Sequence, residues 1–185
     1  TPEALAAASA GDVIKAWQGL DYNRRGLALH RAAQQIAAEG WPADLTDLPG
    51  VGPYTAAAVR NFAFGEDVLP LDVNVERVQA RTGHRFGGAA AQALMDLGAT
   101  VCLARVPRCG SCPLAADCPS RGQRFEPARR QSRFEGSFRQ RRAALLREVA
   151  AADGLESAAC DAEALASLAK DGLVRVVDGR VLLPE

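Results

Sequence analysis

Leu48-Pro-Gly-Val-Gly-Pro-Tyr-Thr55 lies between two stretches of helical periodicity, and its reading decides the fold. Upstream, Asn23 to Glu39 carries Leu29, Ala33 and Ile36 at helical spacing and ends at Gly40, Trp41 and Pro42. Downstream, a helix is predicted from about Tyr54 to Phe64, stopping at Gly65. Gly50 and Gly52 both permit a tight turn with positive φ and close backbone approach. The turn at Gly50, Val51 and Gly52, with Thr55 in the helix that follows, then offers outward amides to an anion. An ordinary helix corner is the plain alternative. The full string LPGVGPYTA, with apolar residues ahead of it, favours two helices whose connecting hairpin grips a phosphate.

The surrounding chain has 185 residues, 48% hydrophobic and 24% charged, too apolar to be a disordered tail. It holds no apolar run of the roughly 18 residues that a membrane span needs. It starts at Thr1 without a secretory pattern, so a cytoplasmic, non-membrane protein acting as a monomer is expected. Acids and bases balance at 22 each, but Lys15 and Lys170 are the only lysines. From Arg105 to Arg147 eleven arginines face only Asp117, Glu126 and Glu135. Such a segment is either a phosphate-facing surface or a solvated linker.

Asp12 to Gln18 and Ala89 to Leu103 also read as helices. Asp72, in Leu71-Asp-Val-Asn-Val-Glu-Arg-Val78, is an N-cap for a helix through Thr82, closed by Gly83. On these residues alone Asp72 is simply a cap and Asn74 an exposed helix residue. His30 reads as a helix-surface residue and His84 as a turn residue. Phe138 to Ala152 and Asp161 to Lys170 are two further helices. They precede two β-prone runs joined by Asp178-Gly179, a strong hairpin signal. The predicted layout is an all-α unit over 1–101, a cysteine loop over 102–120, a basic linker over 121–137 and a small winged-helix-like α+β unit over 138–185.

Cys102, Cys109, Cys112 and Cys118 are spaced C-x6-C-x2-C-x5-C. In a reducing context four thiols in one short loop imply a metal rather than disulfides. Zinc sites favour paired short gaps, and only one gap here is short. A [4Fe–4S] cluster, bonding one thiolate per iron, suits the wider spacing and is favoured over Zn²⁺. Its expected role is structural, with redox second: it would hold Leu103 to Arg108 so that Arg105 and Arg108 meet phosphate. Cys160 stands apart in an Ala-rich stretch and is expected to be a small buried hydrophobe.

Five segments in order carry a resemblance: Trp17-Gln-Gly-Leu-Asp-Tyr-Asn-Arg-Arg25, LPGVGPYTAAAV, LDVNVERVQAR, MDLGATVC and the cysteine spacing. Over residues 1–120 the chain resembles the helix-hairpin-helix DNA glycosylases of the endonuclease III superfamily with an iron–sulfur loop. Within these it is most similar to the A/G-specific adenine glycosylases, the MutY family. The resemblance implies base flipping in double-stranded DNA carrying a mismatched or damaged base pair, followed by N-glycosidic cleavage in base-excision repair. It puts Asp72 at the position of the carboxylate that stabilises positive charge on the sugar, with Asn74 orienting the site. Tyr54 stands where lyase-type relatives carry a Schiff-base lysine, which implies a monofunctional enzyme.

The pattern also departs from the family. The glutamate-bearing helix that protonates adenine has no counterpart here, so the chain is expected to be a fragment or to lack that acid, a loss on the order of two to four powers of ten in rate. Asp21 replaces a usual glycine, and a strained turn is expected there. The joints at Gly40–Thr46 and Arg85–Ala91 look short. The winged-helix-like tail stands where relatives carry a Nudix-like domain that recognises 8-oxoguanine, leaving the opposite base open. A thymine or uracil mismatch glycosylase of the same superfamily and a non-catalytic DNA-binding module are the alternatives.

Overall fold

The computed structural model describes residues 1–20, 22–126, 133–152 and 154–185. In chain order its helices are α1 (Pro2–Ala7), α2 (Ala10–Ala16), α3 (Arg24–Glu39), α4 (Pro53–Phe62), α5 (Val73–Thr82), α6 (Ala91–Thr100), α7 (Phe138–Ala151) and α8 (Ala162–Lys170). Three short strands, β1 (Leu155–Glu156), β2 (Arg175–Val177) and β3 (Arg180–Leu182), complete the regular structure. Backbone contacts divide the chain into two units, Thr1–Gly50 with Gln131–Glu185, and Val51–Arg130. No helix of the described residues is long and apolar enough to cross a membrane.

The first unit is built on one apolar core. Ile14 of α2 and Leu27 of α3 meet Leu145, Leu146 and Val149 of α7, Leu168 of α8, and Leu173 and Val181. Ile14, Leu146, Leu168, Leu173 and Val181 are completely buried, and burying each such side chain stabilises by about 1.5–3 kcal/mol. α7 and α8 begin where their caps dictate. Ser137 accepts from the Gln140 amide at 3.3 Å, and Asp161 from the Ala164 amide at 2.9 Å. Asp178 and Gly179, at φ 49° and 78°, make the two-residue turn between β2 and β3. The sheet runs β1-β3-β2, antiparallel throughout, with Val181 paired to both Val176 and Leu155.

Arg142 of α7 anchors the far end of α8. It donates to the Ser167 carbonyl at 3.2 Å, to the Ser167 hydroxyl, and to Asp171 Oδ2 at 2.5 Å. A cation on the last carbonyls of a helix meets both orphan acceptors and the negative end of its dipole. Arg24 of α3 reaches the same Asp171 at 3.7 Å. The C-terminal segment therefore closes against α2 and α3 through core and ion pairs alike.

In the second unit Val75 and Val78 of α5 pack against Leu94 of α6, flanked by Leu69, Phe86, Met95 and Leu114. α5 starts and stops as its sequence directs: Asp72 caps it, and Gly83, at φ 74°, ends it with its N–H on the Gln79 carbonyl.

Several expectations are corrected. α6 ends at Thr100 rather than Leu103, because the Cys102 amide turns back to the Leu97 carbonyl at 2.7 Å. His30 is buried, 6% exposed, not on the surface: it shares the inward face of α3 with Leu27 and Ala33, and its ring bonds Gln34 Nε2 at 3.4 Å. The helix α1 and the two-residue β1 carried no signal that the sequence reading used. Cys160, half-buried against the first core, has its thiol pushed up by burial. The linker residues 127–132 and Asp21 lie outside the described residues; beside the latter, Tyr22 has φ 47°. The apolar run Val68–Leu71 forms no helix.

Candidate functional site

The hairpin glycines divide in role. Gly50 has φ 76°, and a Cβ there would stand 2.5 Å from the Ala28 methyl of α3. Both the left-handed backbone and the close approach require glycine. Gly52 does not share this need. Its φ is −94°, a Cβ there would meet open space, and it serves as the N-cap residue of α4. The expectation of positive φ at both glycines is thus corrected to Gly50 alone. α4 opens with Pro53 at its first position and no side-chain cap, leaving its first-turn amides to other partners. Tyr54 is exposed in that turn and Thr55 is half-buried. We expect Gly50→Ala to cost about 2 kcal/mol, from left-handed strain plus the methyl clash. Chemical denaturation at a single temperature measures it.

Asp72 and Asn74 are brought together at the start of α5. Asp72 Oδ1 accepts from the Asn74 amide at 2.9 Å and the Val75 amide at 2.7 Å, and Oδ2 accepts from Asn74 Nδ2 at 3.0 Å. A carboxylate offers about four acceptor positions. Among the described residues three are filled, which leaves one position on Oδ2. The group is half-buried, flanked by the exposed side chains of Leu71 and Val73. The Tyr54 phenol makes no hydrogen bond among the described residues.

The sequence reading missed the residue that holds this pair. Arg77 lies one turn after Asn74 and donates to Asn74 Oδ1 at 2.7 Å through Nη2. The same nitrogen reaches the Gly98 carbonyl at 2.7 Å, Nε reaches the Cys102 carbonyl at 2.8 Å, and Nη1 reaches the Val73 carbonyl at 3.2 Å. One guanidinium therefore joins the carboxylate site to the first cysteine. Gly98 makes the close approach: a Cβ there would sit 2.5 Å from Asn74 Cβ. The available signal was spacing. Asn74, Arg77 and Arg81 recur at i, i+3 and i+7, one face of α5.

Cys102, Cys109, Cys112 and Cys118 line one small cavity that opens to solvent, walled also by Val78, Leu97 and Pro107. Two sulfurs already have donors: the Gly122 amide on Cys109 Sγ at 3.3 Å, and Arg81 Nη1 on Cys102 Sγ at 3.5 Å. Among the described residues, no three His, Cys, Asp or Glu side chains converge as they would around a single metal ion. A tetrahedral zinc, with Zn–S of about 2.3 Å, needs that convergence. A cubane does not, because each thiolate bonds a different corner of a larger body. A shared cavity, an all-sulfur donor set and N–H groups on two of the sulfurs are compatible with such a cluster. Arg105 is exposed and only loosely paired with Glu126 at 3.9 Å, and Arg108 leans on the Thr100 carbonyl at 3.4 Å.

With this geometry in hand, comparison with known proteins is direct. Residues 42–62 match the helix-hairpin-helix motif family. A trapped endonuclease III–DNA covalent intermediate superposes with TM-score 0.52 at 26% identity, covering 64% of this chain and 68% of that one. A thermostable thymine-DNA glycosylase does so with TM-score 0.52 at 25% identity and the same coverage. Fold and motif together define a helix-hairpin-helix glycosylase scaffold of the endonuclease III type. The adenine DNA glycosylase of Mycobacterium tuberculosis is 40% identical over 233 aligned positions, covering 100% of this chain and 75% of that protein. The chain belongs to the adenine DNA glycosylase family. The alignment is longer than the chain, so that relative carries residues within the matched region that this chain lacks.

Proposed function

We propose that this protein is a monofunctional adenine DNA glycosylase of base-excision repair, acting as a monomer on duplex DNA with adenine opposite 8-oxoguanine or guanine. The observation that carries the reading is the Asp72–Asn74 pair, held by Arg77, in a chain of this family. In the proposed mechanism the hairpin at Gly50, Val51, Gly52 and Thr55 takes a backbone phosphate on amides and the start of α4, without reading sequence. Arg105 and Arg108 add phosphate contacts from the cysteine loop. The target nucleotide swings out of the stack. As the C1′–N9 bond breaks, its electron pair leaves with the adenine, which takes a proton from solvent, and positive charge grows on the sugar until a water adds at C1′ and gives up a proton. The free acceptor position of Asp72 Oδ2 faces that charge from a fixed carboxylate, which costs no reorganisation during the reaction.

Asn74 does not react. Its amide pins Oδ2 on one side while Arg77 pins the amide on the other. Tyr54 offers a phenol where an imine would need an amine, so the enzyme does not cut the strand. Baseless DNA incubated with the protein should stay intact in a denaturing gel. Efficient β-elimination would contradict the assignment.

Cys102, Cys109, Cys112 and Cys118 would hold a [4Fe–4S] cluster, whose contribution is to fix the shape of the Leu103–Arg108 loop. The C-terminal order of helix, strand, turn, helix and hairpin supports a winged-helix-like unit. Single-turnover base release on duplexes with A·8-oxoguanine, A·G, G·T and G·U pairs tests the function, using protein with its natural N-terminus. Adenine release from the first two is expected. Thymine or uracil release without adenine release would replace this reading with a mismatch glycosylase. Salt-dependent duplex binding without any release would replace it with a binding module.

A further inference from the structure

Arg81 stands in the last turn of α5 and is 8% exposed. A buried arginine is tolerated only when its donors and its charge are met. Nη1 donates to the Leu103 carbonyl at 2.7 Å and reaches Cys102 Sγ at 3.5 Å, while Nη2 donates to the Ala104 carbonyl at 2.6 Å. The Phe125 ring covers the guanidinium, 3.7 Å from centroid to carbon. While Cys118 carries its proton, the backbone carbonyl of the same residue accepts from Cys118 Sγ at 3.5 Å; an iron-bound thiolate has no proton to give, so in a loaded protein the Phe125 ring is what ties that end of the loop to Arg81. Arg81 lies outside the cysteine loop, yet it touches the first cysteine, the last cysteine and the aromatic residue beyond. Nothing in the proposed reaction uses it.

We propose that Arg81 is a positioning residue that straps the two ends of the cysteine loop together from within the protein, by bonds that need no metal. The inference goes beyond the cluster assignment and rests on it only for the charge argument and the iron readout below. Two physical arguments support it. Bringing the ends of a long loop together costs chain entropy, and contacts formed by the fold itself meet that cost before any group binds. The acceptors are also the carbonyls that follow the end of α6, which a planar fork can take in parallel. Lysine could not: its ammonium is a single point on a flexible stem and stacks poorly on a ring. Charge points the same way. Among the described residues no carboxylate pairs with Arg81, so its cation faces two carbonyl dipoles, a ring and a sulfur. Four thiolates in the cavity beside it would supply the missing negative charge.

The strap also explains how the DNA-facing arginine is held. The Phe125 amide donates to the Arg105 carbonyl at 3.0 Å, so the ring that covers Arg81 fixes the backbone of Arg105 in turn. The test uses the full protein and the variants Arg81→Gln and Arg81→Lys. Amide hydrogen exchange over Leu103–Phe125 should quicken on the order of tenfold or more in both variants, with α4 and α8 unchanged. Iron release to a chelator should also quicken, more in Arg81→Gln, which loses the charge, than in Arg81→Lys. Wild-type exchange rates in both variants would overturn the strap, as would a uniform quickening across α4 and α8, which signals general destabilisation. If Arg81→Gln does not fold, Phe125→Ala removes only the covering ring. Its loop amides should then exchange several-fold faster, and unchanged amides would overturn the proposal. Iron-free wild-type protein would sink the cluster assignment while leaving the exchange comparison to judge Arg81.

Discussion

Asp72→Asn should bind duplex DNA with near wild-type affinity and release adenine at least on the order of a thousandfold more slowly. The substitution is clean because the carboxylate has two duties that asparagine separates. As a helix cap, Oδ1 takes the Asn74 and Val75 amides, and asparagine caps as well as aspartate does. As a charge, in the mechanism we propose, the carboxylate would oppose the cation that grows on the sugar, and a neutral amide would not. Stability should therefore hold while chemistry fails. Single-turnover release alongside a binding titration reads both. Equal release rates in the two proteins would remove Asp72 from the mechanism.

Arg77→Leu should be the most damaging single change to the site that leaves every presumed reacting group in place. It strands the Cys102 and Gly98 carbonyls and frees the Asn74 side chain. Leaving such acceptors without partners costs roughly 1–3 kcal/mol each when they are buried, and we expect about 3 kcal/mol in total. Adenine release should slow on the order of a hundredfold, because Asn74 can then turn away from Asp72. Arg77→Lys should recover only part of either loss, since one ammonium cannot span carbonyls on two segments and an amide on a third. Denaturation midpoints and single-turnover rates for both variants check this. A Leu variant with wild-type rate and stability would show the four bonds to be idle.

Much of the local structure was legible because its causes are local. Asp72 and Gly83 bracket α5 within a residue of the prediction, since a cap and a left-handed terminator act on the turns beside them. The Asp178-Gly179 hairpin is read from two residues for the same reason. What resisted reading depends on partners far along the chain. His30 is polar by identity and buried by packing. Arg77 and Arg81 are ordinary helix arginines until the Cys102–Ala104 carbonyls arrive. The acid and the amide of the site could be named from motif, but the side chain that locks them to the cysteine loop could not.

The core shared by Ile14, Leu27, Leu146 and Leu168 has a consequence for biogenesis. The C-terminal edge is part of the same closure: the Ala10 amide meets the Glu185 carbonyl at 3.4 Å, and Gly11 leaves room for the Pro184 carbonyl. Helices α2 and α3 thus lack these apolar partners until α7, α8 and β3 have been synthesised. The Val51–Arg130 segment has its own core and can settle meanwhile. A nascent chain stalled short of Leu168 would expose α2 and α3 to chaperones and proteases.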